Sequence, residues 1–214
     1  MQKGSRKSVW SFALFGAVTG VLSYVAHNYH LLAVPFFEPY VTCSRDCYPI
    51  FEFSVIPGFV FGALIAYLNW KFSALAKFQL AVVVCATAFS WLVAVNAAEM
   101  TFFRLDKIIP PALQFAERDK AQAFGFAISG MIGGLVGGTG TLLGVALANG
   151  RARKARGFLP IVVAATLIGS MLGIPPIQVW QVQLSMLLLF CCWQAAFAGM
   201  LAQVLARSGS ELSQ

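Results

Sequence analysis

Few side chains in this 214-residue sequence could do chemistry, and they are scattered. His27 and His30 precede two cysteines, Cys43 and Cys47, that enclose Ser44, Arg45 and Asp46. Thiols that close together, facing an oxidising compartment, point to a disulfide. A thiol–disulfide pair exchanging with a quinone is the redox alternative and would need a second pair. The same four residues hold suitable donor atoms for zinc, but their spacing matches no recognised zinc pattern, so no metal site is assigned. Asn96 and Glu99 stand together at the end of an apolar run, and Gln194 lies within another. A carboxylate at membrane depth is a functional candidate by default, for a proton or a cation, so Asn96 and Glu99 are the candidate pathway residues. Cys85, Cys191 and Cys192 lie inside apolar runs and read as small packing residues.

The elements that must position these groups are set by composition. Hydrophobic residues make up 59% of the chain and charged residues only 11%, less than half the share of about 25% usual for soluble domains. Six apolar runs account for most of the length: Val9–Ala26, Phe53–Trp70, Phe78–Ala98, Ala123–Asn149, Phe158–Gly173 and Leu184–Ala206. None has a charged residue in its middle. Strand-like alternation is absent, so a transmembrane barrel is excluded. Backbone groups in lipid must be satisfied within the segment, which leaves helices. The expectation is an all-α bundle of about six transmembrane helices, one membrane domain covering residues 1–214, with outer loops at 27–52 and 99–122. Glu117-Arg118-Asp119-Lys120 predicts a short charged helix ahead of the fourth span.

The formal charge of +7 invites a nucleic-acid reading, but the cations cluster beside the apolar runs, where topology explains them. Lys3, Arg6 and Lys7 precede the first run, and Arg151, Arg153, Lys154 and Arg156 separate the fourth from the fifth. Both clusters place their side in the cytoplasm, so both termini are expected inside a plasma membrane, the inner membrane in a bacterium. The basic N-terminus followed by an apolar stretch mimics a signal peptide, but the run is long and lacks a small-x-small site near Ala26, so it reads as an uncleaved first span.

Glycines recur four residues apart: Gly16/Gly20, Gly58/Gly62, Gly130/Gly134/Gly138, Gly133/Gly137, Gly140/Gly144 and Gly169/Gly173. A step of four returns to one helix face and opens a groove for a neighbouring backbone. Gly16, Gly20, Gly130, Gly134 and Gly138 are therefore expected in helix packing. The fourth run bears glycine on several faces, which predicts a central helix crowded on all sides, or one locally unwound. Phe12-Ala13-Leu14-Phe15-Gly16 aligns with Phe126-Ala127-Ile128-Ser129-Gly130, and the following glycines coincide. Three spans per half would make such a repeat inverted across the membrane, as in many transporters. That duplication predicts that the first and fourth helices cross near the midplane, with Gly16/Gly20 equivalent to Gly130/Gly134.

Ala127-Ile128-Ser129-Gly130 also resembles the G-x-S-G serine segment of rhomboid proteases, which have six core spans and an inside N-terminus. The resemblance covers about ten residues, and Ala127 replaces the motif's first glycine. A serine needs a base within hydrogen-bond reach, and the histidines fall before the second run, with none in the sixth.

These residues support a transporter or channel for a small solute or ion, or a membrane subunit of one. The alternative is an accessory protein whose glycine grooves bind partner helices, and an inactive rhomboid-like protein comes third. No enzyme activity or cofactor is indicated. The lipid bilayer, and further copies or other membrane subunits, are the expected partners; nucleic acid is not.

Overall fold

The structure, a computed structural model, describes residues 3–29, 31–35, 52–73, 75–108, 115–150, 157–173 and 179–210. Within them the chain forms six helices: α1 (Lys3–Asn28), α2 (Ile56–Ser73), α3 (Lys77–Ile108), α4 (Phe115–Ala148), α5 (Phe158–Gly169) and α6 (Val179–Ser210). Two three-residue strands, β1 (Ala33–Pro35) and β2 (Glu52–Ser54), pair antiparallel between α1 and α2, with Val34 opposite Phe53. Segments of α1, α3, α4 and α6 are long and apolar enough to cross a membrane: Val9–Asn28, Lys77–Leu105, Lys120–Ala148 and Leu184–Arg207.

Local chemistry explains where helices begin and stop. Pro57 and Pro160 sit in the first turns of α2 and α5, where a missing N–H costs no intrahelical bond. Helix α1 ends ahead of Leu32, a non-glycine residue in the left-handed region at φ 49°. Helix α5 tightens into a 3-10 turn over Ser170–Gly173, and Pro175 and Pro176 follow in sequence. At 18 residues, α2 is about 27 Å long. Helix α5 with its turn spans Phe158–Gly173, about 26 Å. Both are close to the roughly 30 Å hydrocarbon thickness.

Much of the stretch at 99–122 is helical: α3 runs on to Ile108 and α4 begins at Phe115, so the charged stretch at 117–120 is the first part of α4 itself rather than a separate short helix. Residues 99–108 contain no glycine or proline to interrupt a helix, and Pro110 and Pro111 follow in sequence.

Every glycine pair named above is filled from within the chain. A Cβ placed at Gly16 or Gly20 would come within 2.7 Å of Ala195 Cα and 2.6 Å of Cys191 Cα on α6. Gly58 and Gly62 abut α3 at Ala88 and Val84. Helix α4 is continuous, not unwound, and its glycines serve two partners. Gly130, Gly134 and Gly138 lie against Gly169 and Ala165 of α5, while Gly133, Gly137, Gly140 and Gly144 lie against Ala98, Ala94, Ser90 and Ala86 of α3. Lipid gives no hydrophobic push between helices, so close backbone approach and the dispersion contacts it allows hold such pairs together.

Helix α2 is enclosed as well: it packs on α1, α3 and α6 and buries nine of its residues, among them Phe61, Ile65 and Leu68. One further expectation is corrected, since α1 packs away from α4 and their crossing is not formed. Helix α1 packs chiefly on α6 and α2, and α4 on α3 and α5. Gly16/Gly20 therefore have no equivalent in Gly130/Gly134, which face a different neighbour. The glycines of α4 that meet its long antiparallel partner α3 are offset by three residues, at Gly133 and Gly137.

The densest packing lies at one end of the bundle, around Phe12, Ile65, Leu68, Val145, Ile161, Phe197 and Leu201. Lys71 and Arg207, in the last turns of α2 and α6, sit at that end, with Lys71 Nζ 5.0 Å from the centre of the Phe12 ring.

Candidate functional site: an aromatic cavity at one end of the bundle

The opposite end is hollow. The C-terminal ends of α1, α3 and α5 and the N-terminal halves of α2, α4 and α6 surround a cavity of about 430 Å³. That falls within the usual range for small-molecule sites, roughly 300–1,000 Å³. On α3 the wall is Thr87, Trp91, Ala94, Val95, Ala98, Glu99, Phe102 and Phe103, a spacing that keeps one helix face inward. Glycines 130, 133, 134 and 137 of α4 and Gly169 of α5 add bare backbone to the wall. Aromatic rings from α2, α4 and α6 join those of α3. Trp91 and Phe190 lie 5.3 Å apart between ring centres, Phe61 and Trp193 5.1 Å, and Phe102 stacks on Phe126 at 4.1 Å.

Polar atoms are sparse and unevenly satisfied. Gln194 is buried and donates from Nε2 to Ser23 Oγ at 2.8 Å, tying α6 to α1. Its Oε1 and the indole Nε1 of Trp193 are buried without a hydrogen-bond partner among the described residues. Leaving such atoms unmade costs about 1–3 kcal/mol each. The Thr87 hydroxyl is spent on its own helix, donating to Val83 O at 2.8 Å. Trp91 donates its indole N–H to Ser54 O at 3.0 Å, fastening β2 to the cavity wall.

The two candidate pathway residues part company. Glu99 is on the wall, with no hydrogen bond or ion pair among the described residues. Asn96 is off it: its Nδ2 donates to Leu92 O of its own helix at 3.1 Å. Of the packing glycines, Gly130 and Gly134 also face the cavity, whereas Gly16, Gly20 and Gly138 do not. Ser129 and His27 both line it, but the serine hydroxyl donates to Gly125 O at 2.8 Å and is not bonded to the imidazole, so no nucleophile–base pair is assembled. Cys43, Cys47 and His30 lie outside the described residues. Among the described residues Cys85, Cys191 and Cys192 are free thiols, and no group of metal-ligating side chains comes together. Gln194, the polar residue noted within the last apolar run, is on the wall, whereas Trp91 and Trp193 carry no mark in the sequence, since nothing about an aromatic in an apolar run separates a cavity wall from a lipid face.

No family model matches the chain, and comparison with curated proteins and with solved structures returns no similar protein.

Proposed function

We propose that this chain is a multi-pass membrane protein that takes a small, mainly apolar solute into the cavity, as a transporter or channel or as a membrane subunit of one. On this reading α2 and α5 also cross, giving six spans. The hollow end faces outward, because Lys71 and Arg207 mark the packed end and the basic clusters at 3–7 and 151–156 adjoin that end in sequence. The observation that carries the proposal is the cavity itself, which lies beyond the Ile65–Val145–Leu201 core toward the other end of the bundle. Alternating access requires such a site to be reached from one side at a time, and on this reading the cavity is that site. The proposal rests on this cavity and draws nothing from internal duplication.

The accessory reading loses its main support, since each glycine groove is occupied by the chain's own helices. Flux into proteoliposomes tests the proposal. Liposomes carrying the protein should take up members of a panel of small aromatic and aliphatic amphiphiles faster than empty ones. Ala98→Trp, which fills the cavity from α3, should return uptake to the empty-liposome rate. Uptake equal to that of empty liposomes for the whole panel would overturn transport and leave the accessory role.

A further inference from the structure

We propose that the solute is a hydrophobic organic ammonium ion, its charged end held by Glu99; this deepens the reading above and rests on it. The wall chemistry eliminates the other classes. Among the described residues no lysine or arginine lines the cavity, so none of them receives an anion there. Glu99 is the one carboxylate on the wall among the described residues, whereas a hard metal cation such as Ca²⁺ needs six to eight oxygen ligands. A sugar-like solute needs many hydrogen-bonding groups, and these walls are aromatic and glycine with few free polar atoms.

An organic ammonium meets what remains. Phe102 and Phe103 follow Glu99 by three and four residues on α3, so both rings lie on the helix face of the carboxylate, and Phe126 of α4 stacks on Phe102. A carboxylate with aromatic rings on the same helix face suits a cation with an apolar body, because an aromatic ring attracts a cation brought over its face. Helix rise sets the length of the site. Trp91 touches Phe190, so those positions share a level. Glu99 lies two turns toward the mouth and Gln194 one turn toward the floor, a separation of roughly 18 Å along the bundle. The ammonium therefore sits near the mouth and the apolar body runs inward past Trp91. At the floor lies Gln194, 2% exposed, whose Oε1 is buried without a hydrogen-bond partner among the described residues.

The test is equilibrium dialysis of the full chain in phosphatidylcholine nanodiscs, corrected for empty nanodiscs, with naphthylmethylammonium and its neutral counterpart naphthylmethanol. The ammonium should bind about tenfold more tightly than the alcohol. Glu99→Gln should bring it down to the alcohol's affinity and leave the alcohol unchanged, while Glu99→Asp, which keeps the charge, should retain most of the preference. Equal binding of the two probes to the unaltered protein would overturn the ammonium assignment and leave the solute cavity standing. Loss of both probes in Glu99→Gln and Glu99→Asp alike would overturn it too, by making Glu99 structural. Binding of neither probe to the unaltered protein would remove the assignment and the cavity reading together.

Discussion

Asn149 donates its side-chain amide to Asn69 Oδ1 at 3.2 Å, joining the ends of α4 and α2 across 80 residues of sequence. The same amide reaches Ser73 Oγ at 2.9 Å, and Asn69 Nδ2 donates back to Ile65 O at 2.9 Å. Both asparagines are buried at the packed end. Asn149→Ala leaves Asn69 Oδ1 and Ser73 Oγ without this donor and should lower stability by about 1–2 kcal/mol. A double-mutant cycle with Asn69→Ala, read from unfolding in detergent, should give a coupling of at least about 0.6 kcal/mol. Additive losses would show that the contact contributes nothing.

The glycines of α4 should differ in their tolerance of even a methyl group. A Cβ at Gly134 would overlap the backbone oxygen of Ala165, which cannot move without displacing α5. At Gly137 the nearest atom is Ala94 Cβ at 3.2 Å, a contact that a few tenths of an ångström relieve. Gly134→Ala should therefore cost about 1–3 kcal/mol and Gly137→Ala under about 1. Leucine at either Gly134 or Gly138 should be destabilising. Thermal unfolding that ranks Gly137→Ala as the worse of the two alanine variants would contradict the α4–α5 packing.

Reporter fusions placed after Gly157 and at Gln214 should both read cytoplasmic. Gly157 precedes α5 and lies just beyond the Arg151–Arg156 cluster, while Gln214 follows α6. An external signal at Gln214 would mean that α5 with its 3-10 turn does not cross, and the six-span topology would fall.

Cys43 and Cys47 should be joined when the hollow end faces an oxidising compartment. Alkylation of the denatured, unreduced protein, followed by mass spectrometry, should leave both unmodified while Cys85, a free thiol, is labelled. Free thiols at 43 and 47 would remove the disulfide and with it the argument for an oxidising outer side.

What the sequence by itself determined is the helical, apolar character of the chain and the approximate course of its helices. A long run without charge, such as Leu184–Ala206, admits one backbone solution in lipid, and that is local information. It also marked glycines that lie at helix contacts, since a step of four names a face whatever meets it. Only the tertiary structure decided which neighbour each face meets. Gly130 and Gly133 look alike in sequence, yet one abuts α5 and the other α3. The reason is that lipid and neighbouring helices are both apolar, so hydrophobic periodicity, which separates core from surface in a soluble helix, has almost no contrast here. The same lack of contrast hid Trp91 and Trp193 among the lipid-facing aromatics. The bond between Asn149 and Asn69, the unpartnered Oε1 of Gln194, and the placement of Glu99 on the wall with Asn96 off it all depend on how helices distant in sequence are rotated against one another. No stretch of the chain carries that rotation by itself.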